Sequence, residues 1–155
     1  MNKYLIFDMD GTIVDFYGVP DWQHYLDDLQ DAYPYMHAKP FYDMKLLNKV
    51  IDTYRKDGWK IIIISWLARV NKREGFHDDI RKAKLDWLRK YNFKYDEIYF
   101  TEYGVNKWDT VSHLEGTKVL IDDSEEVRNS WKGISIDASQ NILNILMSNI
   151  LTEKE

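Results

Sequence analysis

An α/β fold built on a parallel sheet is what this sequence predicts, and three observations lead there. Strand-like and helix-like segments alternate along the chain. Residues 61–64 are four consecutive Ile, the continuous β-branched run of a strand buried on both faces. The helix-like segments repeat apolar residues at helical spacing, as helices that cover a sheet do.

Taken in order, residues 3–7 read as a buried strand that ends in acids. Residues 21–31 read as a helix. Asp21 is placed as its N-cap, and Trp22, Tyr25, Leu26 and Leu29 fall at i, i+3, i+4 and i+7. Residues 32–40, punctuated by Pro34 and Pro40, read as a loop. A second helix is expected over 41–56, with Met44, Leu47, Val50, Ile51 and Tyr54 on one face and Gly58 as its stop. The Ile-rich strand covers 60–64. A third helix runs over 78–91 through Ile80, Ala83, Trp87, Leu88 and Tyr91. Then come a strand at 97–100, a short helix at 106–114, strands at 118–121 and 134–136, and a C-terminal helix at 140–151. The apolar face of that last helix suits its own sheet first, or a second chain, so monomer and homodimer both stay open.

A length of 155 residues suits one domain with a real core, and no repeat or Gly/Ser linker divides it. There is no Cys, which excludes disulfides, thiolate catalysis and Cys-based zinc sites. The short apolar run behind Met1 lacks the features of a signal peptide, and no apolar stretch approaches a membrane span. The expectation is a cytoplasmic protein with no membrane partner. The net charge of -5 is unevenly placed. Residues 1–44 hold two Lys/Arg against eight Asp/Glu, residues 45–95 fourteen against six, and residues 96–155 five against twelve. A basic middle between acidic ends fits an anionic ligand meeting metal-binding carboxylates, or else a basic coat on two exposed helices.

In parallel sheets, ligands bind beyond the carboxyl ends of the strands. Those ends carry Asp8-Met9-Asp10-Gly11-Thr12, then Ser65, then Lys107 at the start of a helix, then Asp122-Asp123. A turn after Asp8, permitted by Gly11, brings Asp10 back over the same place. A carboxylate can act as a nucleophile towards phosphorus. A second carboxyl group can protonate the leaving oxygen and later deprotonate water. Crowded carboxylates call for a hard divalent cation, and Mg2+ fits best. Lys107 adds positive charge for phosphoryl oxygens, and Ser65 a hydrogen bond.

These residues resemble the four motifs of the haloacid dehalogenase (HAD) superfamily, in the family's order and strand context. Asp8-Met9-Asp10-Gly11-Thr12 is similar to its first motif, Ser65 to its second, Lys107 to its third, and Val119-Leu120-Ile121-Asp122-Asp123 to its fourth. The resemblance implies a Rossmann-like three-layer sandwich with strand order 5-4-1-2-3, one core domain over 1–155 and a small cap inserted at 13–40. It also implies Asp8 as nucleophile and Asp10 as general acid/base, with Ser65 and Lys107 on the phosphate. The implied metal site for Mg2+ uses Asp8, the Asp10 backbone carbonyl and Asp122, with Asp123 or Glu126 acting through water. The acid at position 10 favours phosphate transfer to water over dehalogenation.

The small cap resembles that of 5'-nucleotidase-type members from bacteria and phages. Trp66 and Trp108 flank site residues, and Arg69, Lys72 and Arg73 follow. Aromatics stack on bases and Arg pairs with phosphates, which points to a nucleotide-like substrate. The other reading packs both Trp residues as core. The leading expectation is therefore a Mg2+-dependent phosphomonoesterase for a nucleotide or similar small phosphate. Two alternatives stand beside it. One is a binding protein that sequesters a phosphorylated nucleotide. The other is a phosphatase for nucleic-acid ends, which the overall acidity disfavours.

Overall fold

The computed structural model describes residues 1–148. Five parallel strands form the sheet: β1 (Lys3–Phe7), β4 (Trp59–Trp66), β5 (Glu97–Thr101), β6 (Thr117–Asp122) and β7 (Ile134–Asp137). Two further strands, β2 (Val14–Asp15) and β3 (Lys39–Pro40), pair antiparallel with each other in a separate small sheet. The main sheet runs β5-β4-β1-β6-β7, which differs from the expected label 5-4-1-2-3. The reason is local. Two-residue strands are too short to show a period, so the sequence pattern does not announce β2 and β3, and they shift the numbering of every strand after β1.

The helices are α1 (Tyr33–His37), α2 (Met44–Lys56), α3 (Phe76–Lys90), α4 (Lys107–Thr110), α5 (Glu125–Ser130) and α6 (Ile142–Met147). They cover both faces of the sheet, an architecture compatible with Rossmann-like folds. The pleat explains how one sheet serves two cores. Alternate residues of a strand point to opposite faces. Leu5, Phe7, Ile61, Ile63, Val119 and Ile121 face a core built with Leu47, Ile51, Ile80, Trp87, Ile142 and Leu146 from α2, α3 and α6. Tyr4, Ile6, Ile62, Ile64 and Leu120 face a smaller core with Val111, Val127 and Trp131.

Several boundaries differ from the sequence pattern for identifiable reasons. Helix α2 begins at Met44 because the Asp43 carboxylate caps it, accepting the amides of Lys45 and Leu46 at 3.0 and 3.2 Å. The expected loop at 32–40 contains α1, since Pro34 lies in the first turn, where a missing N–H costs nothing. The helix expected over 21–31 is shorter, with residues 22–28 helical and wound as a π-helix at His24–Asp28, and Gln30 ends the segment in the left-handed region at φ 53°. Helix α5 was not anticipated; Ser124 caps it by accepting from the Val127 amide at 3.3 Å. Helix α6 docks on α2, where the buried Tyr54 hydroxyl donates to the Leu146 carbonyl at 2.7 Å. Ile150 and Leu151 of the expected C-terminal helix lie outside the described residues. No helix among the described residues is long and apolar enough to cross a membrane.

Register positions the site. Phe7 lies opposite Ile63 on β4 and Ile121 on β6. The strand ends are therefore level, and Asp8, Ser65 and Asp122 emerge at one edge of the sheet.

The two adjacent leucines of α2 test its assigned face. Leu47 is fully buried and Leu46 is 38% exposed. Leu47→Ala is expected to cost about 2–5 kcal/mol in urea unfolding, and Leu46→Ala under about 0.5 kcal/mol. Equal losses at the two positions would contradict this packing.

Candidate active site

The loop after β1 folds back on itself. The amides of Thr12, Ile13 and Val14 all donate to the Met9 carbonyl at 3.0–3.1 Å, and the Gly11 amide donates to the Val14 carbonyl at 2.9 Å. Gly11 sits at φ 81°, and a Cβ there would collide with the Asp123 carboxylate. The turn and the close approach together explain a glycine at this point. This is the turn expected from the sequence, and it brings Asp8 and Asp10 into one cavity.

That cavity encloses about 340 Å³ and is lined by Asp8, Asp10, Arg69, Lys107, Asp122 and Asp123, among others. Asp8 is 8% exposed, and its carboxylate is held at both oxygens. Lys107 Nζ donates to Oδ1 at 2.9 Å, and the buried Thr12 hydroxyl donates to Oδ2 at 3.0 Å. Lys107 also donates to Asp122 Oδ2 at 2.7 Å. It starts α4, which Asn106 caps by accepting the Asp109 amide at 3.0 Å. Asp122 in turn accepts the Ser124 amide at 2.9 Å.

Electrostatics follow from burying so many acids together. Burial, then the Asp8 charge, pushes the Asp123 carboxyl up to about 8 and the Asp122 carboxyl up to about 6. Burial raises Asp10 above the usual carboxylate range against the pull of a second ammonium, that of Lys84. Burial alone would lower Lys107; the adjacent Asp8 and Asp122 outweigh it and hold that ammonium above the usual lysine range.

Carboxylate oxygens of Asp8, Asp122 and Asp123 lie within 4.8 Å of one another. This all-oxygen donor set, carrying more negative charge than its surroundings hold comfortably, fits a hard divalent cation such as Mg2+. Glu126 is exposed on α5 and stands apart from that trio.

The other candidates separate. Trp66 lines the cavity; its indole N–H donates to the Val105 carbonyl at 2.9 Å, and its ring lies 5.2 Å from Lys107 Nζ. Trp108 packs in the smaller core, edge-on to Trp131 at 4.8 Å, so here the core reading holds. Arg69 is an exposed residue of the cavity wall. Arg73 bonds the Gln30 carbonyl and Asp79 instead. Ser65 is 1% exposed and is not a lining residue; it lies behind the wall, bonded by Lys84.

The far wall belongs to residues 13–40. Phe16, Tyr17, Trp22 and Tyr35 line the cavity from that side, with Phe16 stacked on Tyr35 at 4.6 Å. The segment is pinned at its base by the β2–β3 pair. Gln30 ties it to the loop after β4, donating to the Val70 carbonyl at 3.2 Å and accepting the Lys72 amide at 2.6 Å. Tyr17 and Tyr103, both more than half exposed, stand at the cavity from opposite sides of the chain. Sequence reasoning missed Thr12, Tyr17, Tyr103 and Lys84. For Lys84 a signal existed: a lysine on the apolar stripe between Ile80 and Trp87.

No family model matches this chain, and no curated protein matches it.

Cation binding is open to direct measurement. At about 100 times its dissociation constant, Mg2+ stabilises a protein by about 2.7 kcal/mol. For a chain of this size that raises the melting midpoint by roughly 5–11 °C, at matched ionic strength. Asp122→Asn and Asp123→Asn are expected to remove most of that shift. A midpoint indifferent to Mg2+ would contradict the assignment.

Proposed function

We propose that this protein is a divalent-cation-dependent phosphomonoesterase that works through an aspartyl-phosphate, on a nucleotide or a similar small phosphate. The observation that carries the reading is Asp8. Its carboxylate lies at the cavity, fixed by Lys107 and Thr12, with a second carboxyl group, Asp10, two residues away in the same loop. The reading also rests on the motif resemblance to the HAD superfamily, with residues 13–40 as the cap.

The steps assign each proton. An Asp8 oxygen attacks phosphorus, and the bond from phosphorus to the leaving oxygen breaks. Asp10, whose burial favours its acid form, gives its proton to that oxygen. Water then attacks the same phosphorus. Asp10, now a carboxylate, takes the water's proton, and Asp8 leaves with its carboxylate restored. Lys107 has three N–H donors and uses two on Asp8 and Asp122, which leaves one for a phosphoryl oxygen. A cation held by Asp8, Asp122 and Asp123 supplies charge neutralisation for the phosphoryl group when bound.

The substrate class is supported by the walls. A cavity of about 340 Å³ is at the small end of ligand pockets. Its aromatic lining of Tyr17, Trp22, Trp66 and Tyr103 suits the flat face of a base, and Arg69 suits an anionic edge. A site of this size favours a small phosphate over a nucleic-acid end.

In a screen of nucleotides and sugar phosphates with Mg2+, phosphate release is expected, strongest for a nucleoside monophosphate. Asp8→Asn is expected to abolish it. Asp10→Asn is expected to slow it by about 10²–10⁴-fold. Full activity in Asp8→Asn would overturn the assignment of the nucleophile.

A further inference from the structure

Lys84 occupies a place where a lysine is costly. It lies on the apolar stripe of α3, near Ile80 and Trp87, and is 1% exposed. Lysine usually runs its chain along an apolar surface and keeps its ammonium in water. Here the ammonium is inside. Its partners lie at the candidate site or directly behind its wall. Nζ donates to Ser65 Oγ at 2.6 Å, to the Trp66 carbonyl at 2.9 Å and to Asp10 Oδ2 at 3.2 Å. The ring of Tyr35, from the 13–40 segment, lies 4.7 Å from Nζ on another side.

An ammonium has three donors, and these contacts use all three. Lys84 also does not line the cavity. It therefore has nothing left with which to bind a substrate. Nor does stability alone account for it. Replacing a buried ion pair with well-packed apolar groups is often neutral or stabilising, so packing alone does not call for a charge here.

What Lys84 does control is the geometry of one reactive group, Asp10, and of the strand end beside it. By holding Asp10 at Oδ2 it leaves Oδ1 as the oxygen with no protein partner, and that atom is buried. By donating to Ser65 Oγ behind the wall it anchors its own ammonium beside Asp10. By bonding the Trp66 carbonyl it fixes the end of β4, from which both Ser65 and Trp66 project.

We propose that Lys84 is a positioning residue for proton transfer: it fixes the Asp10 carboxyl group in the orientation from which that group gives its proton to, and takes it back from, the reacting oxygens. This role rests on the phosphatase reading above.

The test compares two leaving groups. A p-nitrophenolate leaves without help from an acid, whereas an alkoxide needs a proton as it departs. The value of kcat/KM covers all steps through loss of the leaving group. In Lys84→Met it is expected to fall by about 100-fold or more on an alkyl phosphate and by under about tenfold on p-nitrophenyl phosphate. Asp10→Asn should show the same contrast. Adding Lys84→Met to Asp10→Asn should then cost little more, because the two act as one unit. Should Lys84→Met be too unstable to assay, Lys84→Gln carries the same comparison. Equal losses on the two substrates, or losses that simply add to those of Asp10→Asn, would overturn the role of Lys84 alone. A wild-type protein that releases no phosphate from either substrate with Mg2+ present would overturn the phosphatase reading, and this role with it.

Discussion

Two buried ammonium groups hold this structure's acidic edge together. Asp8, Asp10, Asp122 and Asp123 come from the ends of two adjacent strands, and gathering them out of water is unfavourable unless cations answer them. Lys107 reaches in from α4, on one face of the sheet, and bridges Asp8 and Asp122. Lys84 reaches in from α3, on the other face, and holds Asp10. Each lysine thus ties a helix layer to the sheet edge. Removing one partner from a buried pair leaves an uncompensated charge, at a cost of about 3–5 kcal/mol. The same contacts that make the edge tolerable also fix the carboxylate oxygens in place, so local stability and chemistry share one set of atoms.

The segment over the site follows from this arrangement. Residues 13–40 leave the sheet through β2 and return through β3, carrying a patch of aromatics across the acids. Tyr35 shows how closely the two are joined: it is buried, it lines the cavity, and its ring packs against the Lys84 ammonium. Gln30, held in a left-handed conformation, binds the segment to the loop after β4 through its side chain and its carbonyl. The wall is part of the fold, and its aromatic character carries the argument about substrate.

Much of this was legible in the sequence, and the reasons are physical. The strands were readable because a buried parallel strand is a continuous apolar run, as Ile61 to Ile64 show, and acids at the ends of such runs have few other reasons to be there. The joint placement of Asp8, Asp10, Lys107, Asp122 and Asp123 at one cavity follows from that logic. What failed depends on contacts between distant segments. Trp66 and Trp108 each follow a site residue in sequence, yet one lines the cavity and the other packs against Trp131; only the facing of each element decides which. Ser65 looked like a ligand group and instead lies behind the wall, because the partner that holds it, Lys84, comes from 19 residues away. Pro34 looked like a helix breaker and instead sits in a first turn.

The central claim is that Asp8 becomes covalently phosphorylated. An acyl phosphate is reduced by borohydride, and aspartate so reduced becomes homoserine. Wild-type protein quenched with borohydride during turnover, then digested and analysed by mass spectrometry, should carry homoserine at position 8 and aspartate at positions 10, 122 and 123. Homoserine at one of those three positions, or unmodified aspartate at all four despite ongoing phosphate release, would contradict the account.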